Sequence, residues 1–560
     1  MTNLKDLLAI PYVEPKNKTI KRVLATIDSE TDPFKIGRYP KPFIWGFYDG
    51  SVYEEFNNVR ALLDFFEKQF TEKDIQYRVY AHNGGKFDYH FMLEHLEADT
   101  DVMIINGRLS KFNIGPTEFR DSYNLFNFPL AAYKKDDMDY GLMEEEERDK
   151  PKNKRIISDY LEKDCVYLHE MVHGFIETYG LHLTQASASM KIWQKMCSVK
   201  APKTTENYYD ALKPFYYGGR VECFKKGIIE EVFSVIDIVS AYPHAMGFEH
   251  PIGVEYKTLH GKKACDYVED KGGITNKFMN RCFFTLLAKS SGSLPYRDDK
   301  GKLFFPNDHL IRRYTVTGWE IAAGLRTETL RIHQILSVTY WNEYIDFTQY
   351  VDHFFKLKKE GRDKGDKLMT LFAKLFLNSL YGKFAADPRN YKSHKVVDTS
   401  DIHSILEEGY EAGGFLGEWF LAKKAMPHDR QRFYNIATAA SITGFVRAYL
   451  WEAACKCSGL LYSDTDSIAA KDISQIKLGC DLGDWEKEGE FSYGAIGGKK
   501  MYAFQHTGKN KWKTASKGAR LTSKEIILVA KGNEVLYDPM APTYSIKHEP
   551  RFTQRKIVRT

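Results

Sequence analysis

The stretch Tyr462–Ser467 constrains the fold of this chain more than any other, because it places two carboxylates one residue apart between apolar runs. This pattern predicts a β-hairpin, with a strand on each side of a short turn. Along an extended chain, residues i and i+2 face the same side, so Asp464 and Asp466 together can hold a hard divalent cation. Taken alone, the same pattern fits a solvated loop equally well.

A second run, Val235–Pro243, predicts a β-branched strand with one acid, Asp237, in its middle. A carboxylate inside an apolar strand costs too much free energy unless a metal or another partner neutralises it. Together with the hairpin acids, Asp237 predicts a site for phosphoryl transfer with two Mg²⁺ or Mn²⁺ ions.

Composition limits the class of protein. A chain of 560 residues is longer than one hydrophobic core usually serves, so two or more domains are expected. A formal charge of +5 excludes a uniformly basic coat for nucleic acid and leaves a local groove as the polyanion site. The eight cysteines show no zinc-binding spacing, which fits a reduced compartment. No signal-peptide pattern or membrane-length apolar run is present, so we expect an intracellular protein without a membrane segment.

Four acids of the amino-terminal third repeat the metal-binding pattern. Asp28 and Glu30 are one residue apart in a β-rich run, and Asp88 and Asp164 follow in motifs of their own. The four can bind a second pair of Mg²⁺ or Mn²⁺ ions, so that two ions serve each active site. Tyr160, one helical turn before Asp164, can orient an attacking water. Each acid by itself fits an ordinary surface charge.

Residues 364–382 predict the most regular helix of the chain. Its apolar residues recur with helical spacing and form one buried stripe: Leu368, Leu371, Phe372, Leu375 and Phe376. Lys374, Asn378 and Tyr381 lie on a different stripe, so a cation, an amide and an aromatic ring face one volume. Lys374 alone fits a solvated face, but the Asn-Ser-Leu-Tyr-Gly-Lys sequence that includes Asn378 favours a site.

The amino-terminal motifs resemble a known family. Asp-x-Glu at residue 28, the string from Asn83 to Asp88, and Tyr-x-x-x-Asp at residue 160 resemble the exonuclease motifs of the RNase H-like 3′–5′ exonuclease of family B DNA polymerases. The second motif departs from the family by one additional residue, because a Gly-Gly pair follows Asn83. The resemblance implies that Lys135 contacts the scissile phosphate. It also implies a set of ligands for the unpaired 3′ end: Asn83, Phe87, Ser122 and Tyr123. A core aromatic is an equal alternative for Phe87.

The remaining motifs resemble the polymerase part of the same family, in the same order. The resemblance implies that Asp237 and Asp466 ligate both metal ions and that Asp464 lies beside them. It implies a nucleotide site formed by Tyr242, Arg362, Lys374, Asn378 and Tyr381, in which Tyr242 excludes a ribose 2′-hydroxyl. It further implies DNA contacts from the Tyr-x-Gly-Gly and Lys-x-Tyr motifs: Tyr216, Gly218, Gly219, Lys500 and Tyr502.

The lysines at 509, 511 and 513 alternate, so in an extended strand they line one side. With neighbouring cations they predict a track for duplex phosphates. A solvated hairpin is an equally good interpretation of the three lysines.

The expected fold is an α/β and α+β multidomain protein, with an RNase H-like exonuclease domain followed by a right-hand polymerase. The expected boundaries are exonuclease 1–185, palm 186–250 and 429–525, fingers 349–385 and thumb 526–560. Residues 251–348 and 386–428 are expected to be folded insertions. Their positions resemble the two terminal-protein regions of the protein-primed bacteriophage subgroup. The string Ala-His-Asn-Gly-Gly-Lys-Phe-Asp at residues 81–88 resembles the tectivirus-like enzymes of that subgroup.

That resemblance implies a proofreading DNA polymerase in the cytoplasm of an infected bacterium. Its partners would be template and primer DNA, deoxynucleoside triphosphates and a terminal protein that primes a linear viral genome. The second insertion would close a ring around the DNA and give processivity and strand displacement. Two alternatives remain: a nucleic-acid-primed family B polymerase, and a DNA-binding exonuclease with an idle polymerase fold.

Overall fold

The computed structural model describes residues 20–545 and 548–560. In the amino-terminal region, helices pack against a β-sheet. Its strands are β1 (Lys21–Thr31), β2 (Pro42–Tyr48), β3 (Tyr53–Phe56), β4 (Ile75–Ala81), β5 (Asp101–Ile105), β6 (Arg108–Ile114) and β7 (Thr117–Asp121). Its helices are α1 (Val59–Lys73), α2 (Glu145–Arg148) and α3 (Pro151–Tyr179).

β1 lies inside this sheet, parallel to β4 and antiparallel to β2. Helix α3 packs against both β1 and β2. Pro151 occupies the first turn of α3, where its missing N–H costs nothing, and Gly180 ends the helix at φ 83°. The Thr26 hydroxyl donates to the Cys165 carbonyl at 2.8 Å, so the middle of α3 lies against the carboxyl-terminal half of β1.

The elements that follow form a second region and the first insertion. The second region contains α4 (Gln185–Met196), α5 (Glu206–Leu212), β8 (Val221–Cys223), β9 (Gly227–Ile229), β10 (Phe233–Ile238), α6 (Ala241–Met246) and β11 (His250–Pro251). The insertion contains β12 (Tyr256–His260), α7 (Lys262–Asp270), β13 (Phe283–Ser290), β14 (Tyr296–Arg297), β15 (Leu303–Phe304), β16 (Ile311–Thr317), α8 (Gly318–Arg326), β17 (Leu330–Trp341) and β18 (Tyr344–Ile345). The strands β12, β17, β13 and β16 form a separate sheet with its own apolar core.

Two packed helices follow, α9 (Thr348–Lys364) and α10 (Lys367–Phe384). The predicted start of one helix at residue 364 is wrong by three residues, because Gly365 ends α9 at φ 68° and the Asp366 side chain caps α10. The predicted stripes are confirmed, since Phe372 and Phe376 are buried whereas Lys374 and Asn378 are exposed.

The second insertion contains β19 (Lys392–Val397), α11 (Ile402–Glu407), β20 (Glu411–Leu416) and β21 (Trp419–Ala425). Its strands do not form a separate sheet. β19 pairs with β5, so the insertion extends the amino-terminal sheet to ten strands in the order β20-β21-β19-β5-β6-β7-β4-β1-β2-β3. A segment about 290 residues away in sequence thus extends the sheet of the amino-terminal region.

The carboxy-terminal region contains α12 (Ile436–Lys456), β22 (Ser458–Asp464), β23 (Ser467–Asp472), β24 (Trp485–Gly498), β25 (Met501–His506), β26 (Trp512–Ser516), α13 (Ser523–Ala530), β27 (Val535–Tyr537), β28 (Thr543–Ser545), β29 (His548–Arg551) and β30 (Arg555–Ile557). A sheet in the order β26-β25-β24-β10-β23-β22-β8 joins β10 to the β22–β23 hairpin. Across the residues that the structure describes, none of the helices has the length and apolar character needed to traverse a lipid bilayer.

Candidate active sites

Three carboxylates meet where α3 crosses β1. Asp28 and Glu30 alternate along β1 and so face one side, and Asp164 comes from the middle of α3. One oxygen from each of the three lies within 4.8 Å of the others. This spacing suits a shared divalent cation.

Asp88 and Lys135 border this cluster. The Asp88 carboxylate accepts a hydrogen bond of 2.5 Å from the Ser29 hydroxyl and lies outside the group of three mutually close oxygens. The Lys135 ammonium is 3.6 Å from the nearer Asp164 oxygen and 5.4 Å from the centre of the Tyr160 ring. The structure therefore brings together the predicted acids, lysine and tyrosine, with Asp88 at the margin.

Burial and mutual repulsion disfavour the charged forms of these acids. Burial, followed by the charges of Asp88, Asp164 and Glu30, raises the pKa of Asp28 well above its usual range. Burial and Asp164 raise the pKa of Glu30 to about 8. Asp164 Oδ1 is buried and has no hydrogen-bond partner within the described residues. An unpartnered carboxylate oxygen among repelling acids fits a hard cation.

Asn83 takes its position from an unusual backbone. It adopts φ 66°, and its side-chain oxygen accepts a hydrogen bond of 2.6 Å from Arg108. Gly85 follows in a tight turn, where a Cβ atom would lie 2.0 Å from the Leu109 carbonyl oxygen. The additional glycine of this motif is thus required by close packing against the β6 backbone.

Phe87 lies in a cluster of aromatic rings and is only partly buried. Its ring centre is 5.6 Å from those of Phe34 and of Tyr544, which belongs to β28. Ser122 and Tyr123 follow β7, and the Ser122 hydroxyl is 3.0 Å from His82 Nδ1. The residues expected to hold an unpaired strand therefore lie near one another, beside the acids.

The second cluster lies in the carboxy-terminal sheet. β10 pairs with β23, so that Asp237 lies opposite Ser467, and the turn of the β22–β23 hairpin carries Asp466. The predicted hairpin is confirmed, although Asp466 reaches the cleft through a turn with Thr465 at φ 63° rather than by alternation along a strand. Asp237, Asp464 and Asp466 all line an open cleft of about 400 Å³.

The acids of this cleft repel one another as well. Burial and the charge of Asp466 raise the pKa of Asp237 to about 7. Burial and the charge of Asp464 raise the pKa of Asp466 to about 6. Asp464 itself has a partner, because the Lys500 ammonium lies 2.6 Å from its Oδ1. Asp237 and Asp466 therefore fit a cation, and Asp464 is held in place by Lys500.

An ion pair in the same cleft was not predicted from the sequence. Glu488 on β24 pairs with Lys513 on β26, and both side chains line the cleft. Lys513 is the only one of the three alternating lysines that lies in a strand, because Lys509 and Lys511 belong to the turn before β26. The prediction that the three share one strand is wrong, and the hairpin interpretation describes this segment.

The segment between α5 and β8 lies against the turn of the β22–β23 hairpin. A Cβ atom on Gly219 would lie 2.9 Å from the Thr465 side chain and 3.2 Å from the Tyr242 hydroxyl. The absence of a side chain at Gly219 therefore leaves space for these two side chains. Gly218 has open space around its Cβ position. Arg447, paired with Glu320 of the first insertion, donates to the carbonyls of residues 217 and 218. Tyr216 lies at the start of this segment and is partly buried.

The residues expected to bind a nucleotide lie on facing elements. Tyr242 on α6 stacks on Tyr381 of α10, with ring centres 4.2 Å apart and planes within 4°. Burial, followed by the charges of Arg362 on α9 and Lys374 on α10, lowers the pKa of Lys358 to about 8. Lys358 was not predicted as a site residue from the sequence, although it lies one helical turn before Arg362 on α9.

The chain as a whole is similar to known DNA polymerases. The family model described as DNA polymerase type B, organellar and viral, matches residues 126–442. The DNA-directed DNA polymerase of Enterobacteria phage PRD1 is 36% identical over 515 residues, which cover 91% of this chain and 88% of that protein. A DNA polymerase of Kluyveromyces lactis is 24% identical over 517 residues, covering 75% of this chain and 50% of that longer protein.

A solved structure extends the likeness to the whole fold. Phi29 DNA polymerase, complexed with primer-template DNA and incoming nucleotide, superposes with a TM-score of 0.72 at 17% identity and covers 96% of this chain and 100% of its own. The match confirms the predicted fold class, an α/β and α+β multidomain polymerase fold. The chain belongs to the organellar and viral type B DNA polymerases, and it is a DNA-directed DNA polymerase.

Proposed function

We propose that this polymerase proofreads with a 3′–5′ exonuclease and replicates a linear viral genome from a protein primer, in the cytoplasm of an infected bacterium. The observation that carries the proposal is the presence of two separate carboxylate clusters in one chain. One joins β1 to α3, and the other joins β10 to the β22–β23 hairpin. Two clusters of this kind suit two separate phosphoryl-transfer reactions, the synthesis of DNA at one cluster and its degradation at the other.

In the polymerase cleft, Asp237 and Asp466 would hold two Mg²⁺ or Mn²⁺ ions. Such ions, when bound, lower the pKa of the primer hydroxyl and neutralise charge on the leaving pyrophosphate. Asp464 is fixed by the Lys500 ammonium at 2.6 Å, and Lys500 also donates its backbone N–H to the Tyr462 hydroxyl at 2.7 Å. Lys500 thereby holds the hairpin turn in the geometry that presents both acids, and Tyr502 lines the cleft beside it.

The incoming nucleotide would lie between α10 and α6. The Lys358 ammonium donates to the Ser240 hydroxyl, just before α6, at 3.0 Å, and the charges of Arg362 and Lys374 act on it. These three cations would bind the triphosphate. Tyr242 would support the sugar with its face and exclude a 2′-hydroxyl, because stacking on Tyr381 fixes the ring. Asn378, exposed one turn before Tyr381, would border the nascent base pair with Tyr381.

In the exonuclease site, Asp28, Glu30 and Asp164 would hold the cations, with Asp88 completing the set. Tyr160 would orient the attacking water, since its ring lies beside Lys135 and its pKa is raised above the usual range by burial. Lys135 would contact the scissile phosphate from its position 3.6 Å from Asp164. Asn83, Phe87, Ser122 and Tyr123 would hold the unpaired 3′ end.

Protein priming is supported by the two insertions. The second insertion lies on the amino-terminal sheet, and its β20 lies beside β29 near the carboxyl terminus. This contact joins the second insertion to the carboxy-terminal segment. A ring closed around the DNA, as processive and strand-displacing synthesis would use, would need such a contact. A nucleic-acid-primed enzyme whose insertions bind another partner is the alternative.

The test is deoxynucleotidylation of a terminal protein. The candidate is the product of a small basic reading frame next to the polymerase gene, incubated with the enzyme, Mg²⁺ and labelled deoxynucleoside triphosphates. We expect a labelled protein that survives denaturation, and no label with Asp466→Asn. Extension of primed DNA without any labelled protein would favour the nucleic-acid-primed alternative.

A further inference from the structure

Arg108 lies at the centre of the residues assigned to the unpaired strand. Its Nη1 donates to Asn83 Oδ1 at 2.6 Å and to Asp121 Oδ2 at 2.9 Å, and its guanidinium carbon lies 4.3 Å from the centre of the Tyr123 ring. Because Arg108 occupies the amide oxygen of Asn83, the amide nitrogen is left to donate to a ligand. Arg108 therefore sets the direction of Asn83 and supports Tyr123 from one face.

Asp121 makes this arrangement rigid. Its carboxylate is fully buried and accepts hydrogen bonds from the backbone N–H of Tyr123 at 2.9 Å and of Gly85 at 3.2 Å, in addition to the bond from Arg108. A carboxylate with this many donors is held in a single orientation. It neutralises the one positive charge of Arg108.

Lys86 adds a second positive charge, for which the described part of the chain offers no carboxylate partner. It precedes Phe87 and is partly buried, and its ammonium lies 3.8 Å from the Cβ position of Gly107, next to Arg108. Over residues 20–545 and 548–560, no carboxylate pairs with Lys86, and the neighbouring charge that acts on it is the repelling one of Arg108. Lys86 and Arg108 together thus have one neighbouring carboxylate, that of Asp121, which leaves one positive charge unbalanced.

We propose that Lys86 and Arg108 form a phosphate-binding subsite for the unpaired DNA strand, and that Arg108 also positions Asn83 and Tyr123. A partly buried cation without a counter-ion costs free energy, which a phosphate oxygen would offset through charge-assisted hydrogen bonds. The subsite takes a phosphate other than the scissile one, because Lys135 and the metal-binding acids already surround that position. This inference rests on the proposed exonuclease function.

The salt dependence of strand degradation tests the charge of Lys86. For single strands, each phosphate contact contributes about 0.7 to the slope of log affinity against log salt concentration. We expect Lys86→Gln to raise the KM for a single-stranded oligothymidylate about tenfold at low salt and to reduce the slope of 1/KM by about 0.7. The kcat should change by less than about twofold, since Lys86 touches no reacting atom.

The matched control is Lys111→Gln. Lys111 lies on β6 of the same sheet, and its ammonium is 2.8 Å from Glu118. Its loss should leave both KM and the salt slope as in the wild type. A Lys86→Gln enzyme with the wild-type slope, or an equal change in the control, would overturn the subsite.

A second pair of variants tests the positioning role of Arg108. Arg108→Lys keeps the charge but cannot bond Asn83 and Asp121 through one planar group, so we expect a KM raised about tenfold with an unchanged salt slope. The control is Arg120→Lys. Arg120 lies in β7, next to the β6 strand of Arg108, and pairs with Glu118 of its own strand at 2.8 Å. A wild-type KM in Arg108→Lys would remove the positioning role. Absence of degradation by the wild-type enzyme would instead refute the exonuclease function itself.

Discussion

A single aromatic residue illustrates what the chemistry of this enzyme requires of one side chain. Tyr242 stacks on Tyr381 with ring centres 4.2 Å apart, and its hydroxyl lies 3.2 Å from the position that a Cβ atom would take at Gly219. The stacked ring of Tyr381 prevents Tyr242 from moving toward α10. A sugar that packs on the Tyr242 ring therefore contacts a side chain that is held in one position.

Replacing this ring should relax sugar selection. Tyr242→Val removes the aromatic ring that would exclude the 2′-hydroxyl. We therefore expect the preference for deoxyribonucleotides over ribonucleotides to fall about tenfold to a hundredfold, which is the usual size of discrimination against one added hydroxyl. Tyr242→Phe keeps the ring and should keep the discrimination. Competitive incorporation of one ribonucleotide and its deoxy counterpart measures the ratio, and an unchanged ratio in Tyr242→Val would contradict the assignment.

Residues that belong to a local motif could be located from the sequence, whereas isolated ones could not. Asp28 and Glu30 alternate on one strand, so their common direction follows from strand geometry alone. Glu488 and Lys513 come from different strands of a sheet and meet only because β24, β25 and β26 are neighbours. Arg108 likewise reaches Asn83 across 25 residues, and no local pattern records that contact.

At the scale of elements, the packing of the second insertion could not be predicted from the sequence. Its length predicted a folded insertion, and the structure adds that its strands complete the amino-terminal sheet through β19 and β5. Pairing between strands so distant in sequence depends on tertiary contacts rather than on local propensity. The break between α9 and α10, by contrast, carries a local signal in Gly365 and Asp366, a helix end followed by a cap.

The anchoring of this insertion can be tested at one tryptophan. The Trp419 indole donates to the Leu93 carbonyl at 2.9 Å and packs on the amino-terminal core. We expect Trp419→Ala to speed hydrogen exchange in β19–β21 and to shorten the products made per binding event, while single-nucleotide addition persists. Phe415→Ala, which removes a half-exposed ring of the same hairpin, is the control. Equal effects of the two changes would show that Trp419 is no special anchor.

At the scale of the whole molecule, the two acid clusters link stability to pH and to cations. Without metal, the pKa of Glu30 is about 8, that of Asp237 about 7 and that of Asp466 about 6, all raised chiefly by burial. Since these values exceed those of an unfolded chain, the folded protein binds more protons, and its stability falls as pH rises from about 4 to about 8. A bound cation removes this penalty because it favours the ionised carboxylates.

Thermal unfolding with and without Mn²⁺ should show this linkage. We expect the rise in Tm caused by Mn²⁺ to be small near pH 5.5 and several degrees larger near pH 8, where protons no longer compete. A protein with both Asp28→Ala and Asp466→Asn should lose most of the gain. A Tm gain that is independent of pH would contradict the raised pKa values.

The most direct test of two independent active sites is a paired assay of Asp466→Asn and Asp28→Ala. Each purified variant is measured for primer extension and for degradation of a single-stranded 3′ end under the same Mg²⁺ conditions. We expect Asp466→Asn to lose extension and keep degradation, and Asp28→Ala to lose degradation and keep extension. Loss of both activities in either folded variant would show that one site serves both reactions and would contradict this account.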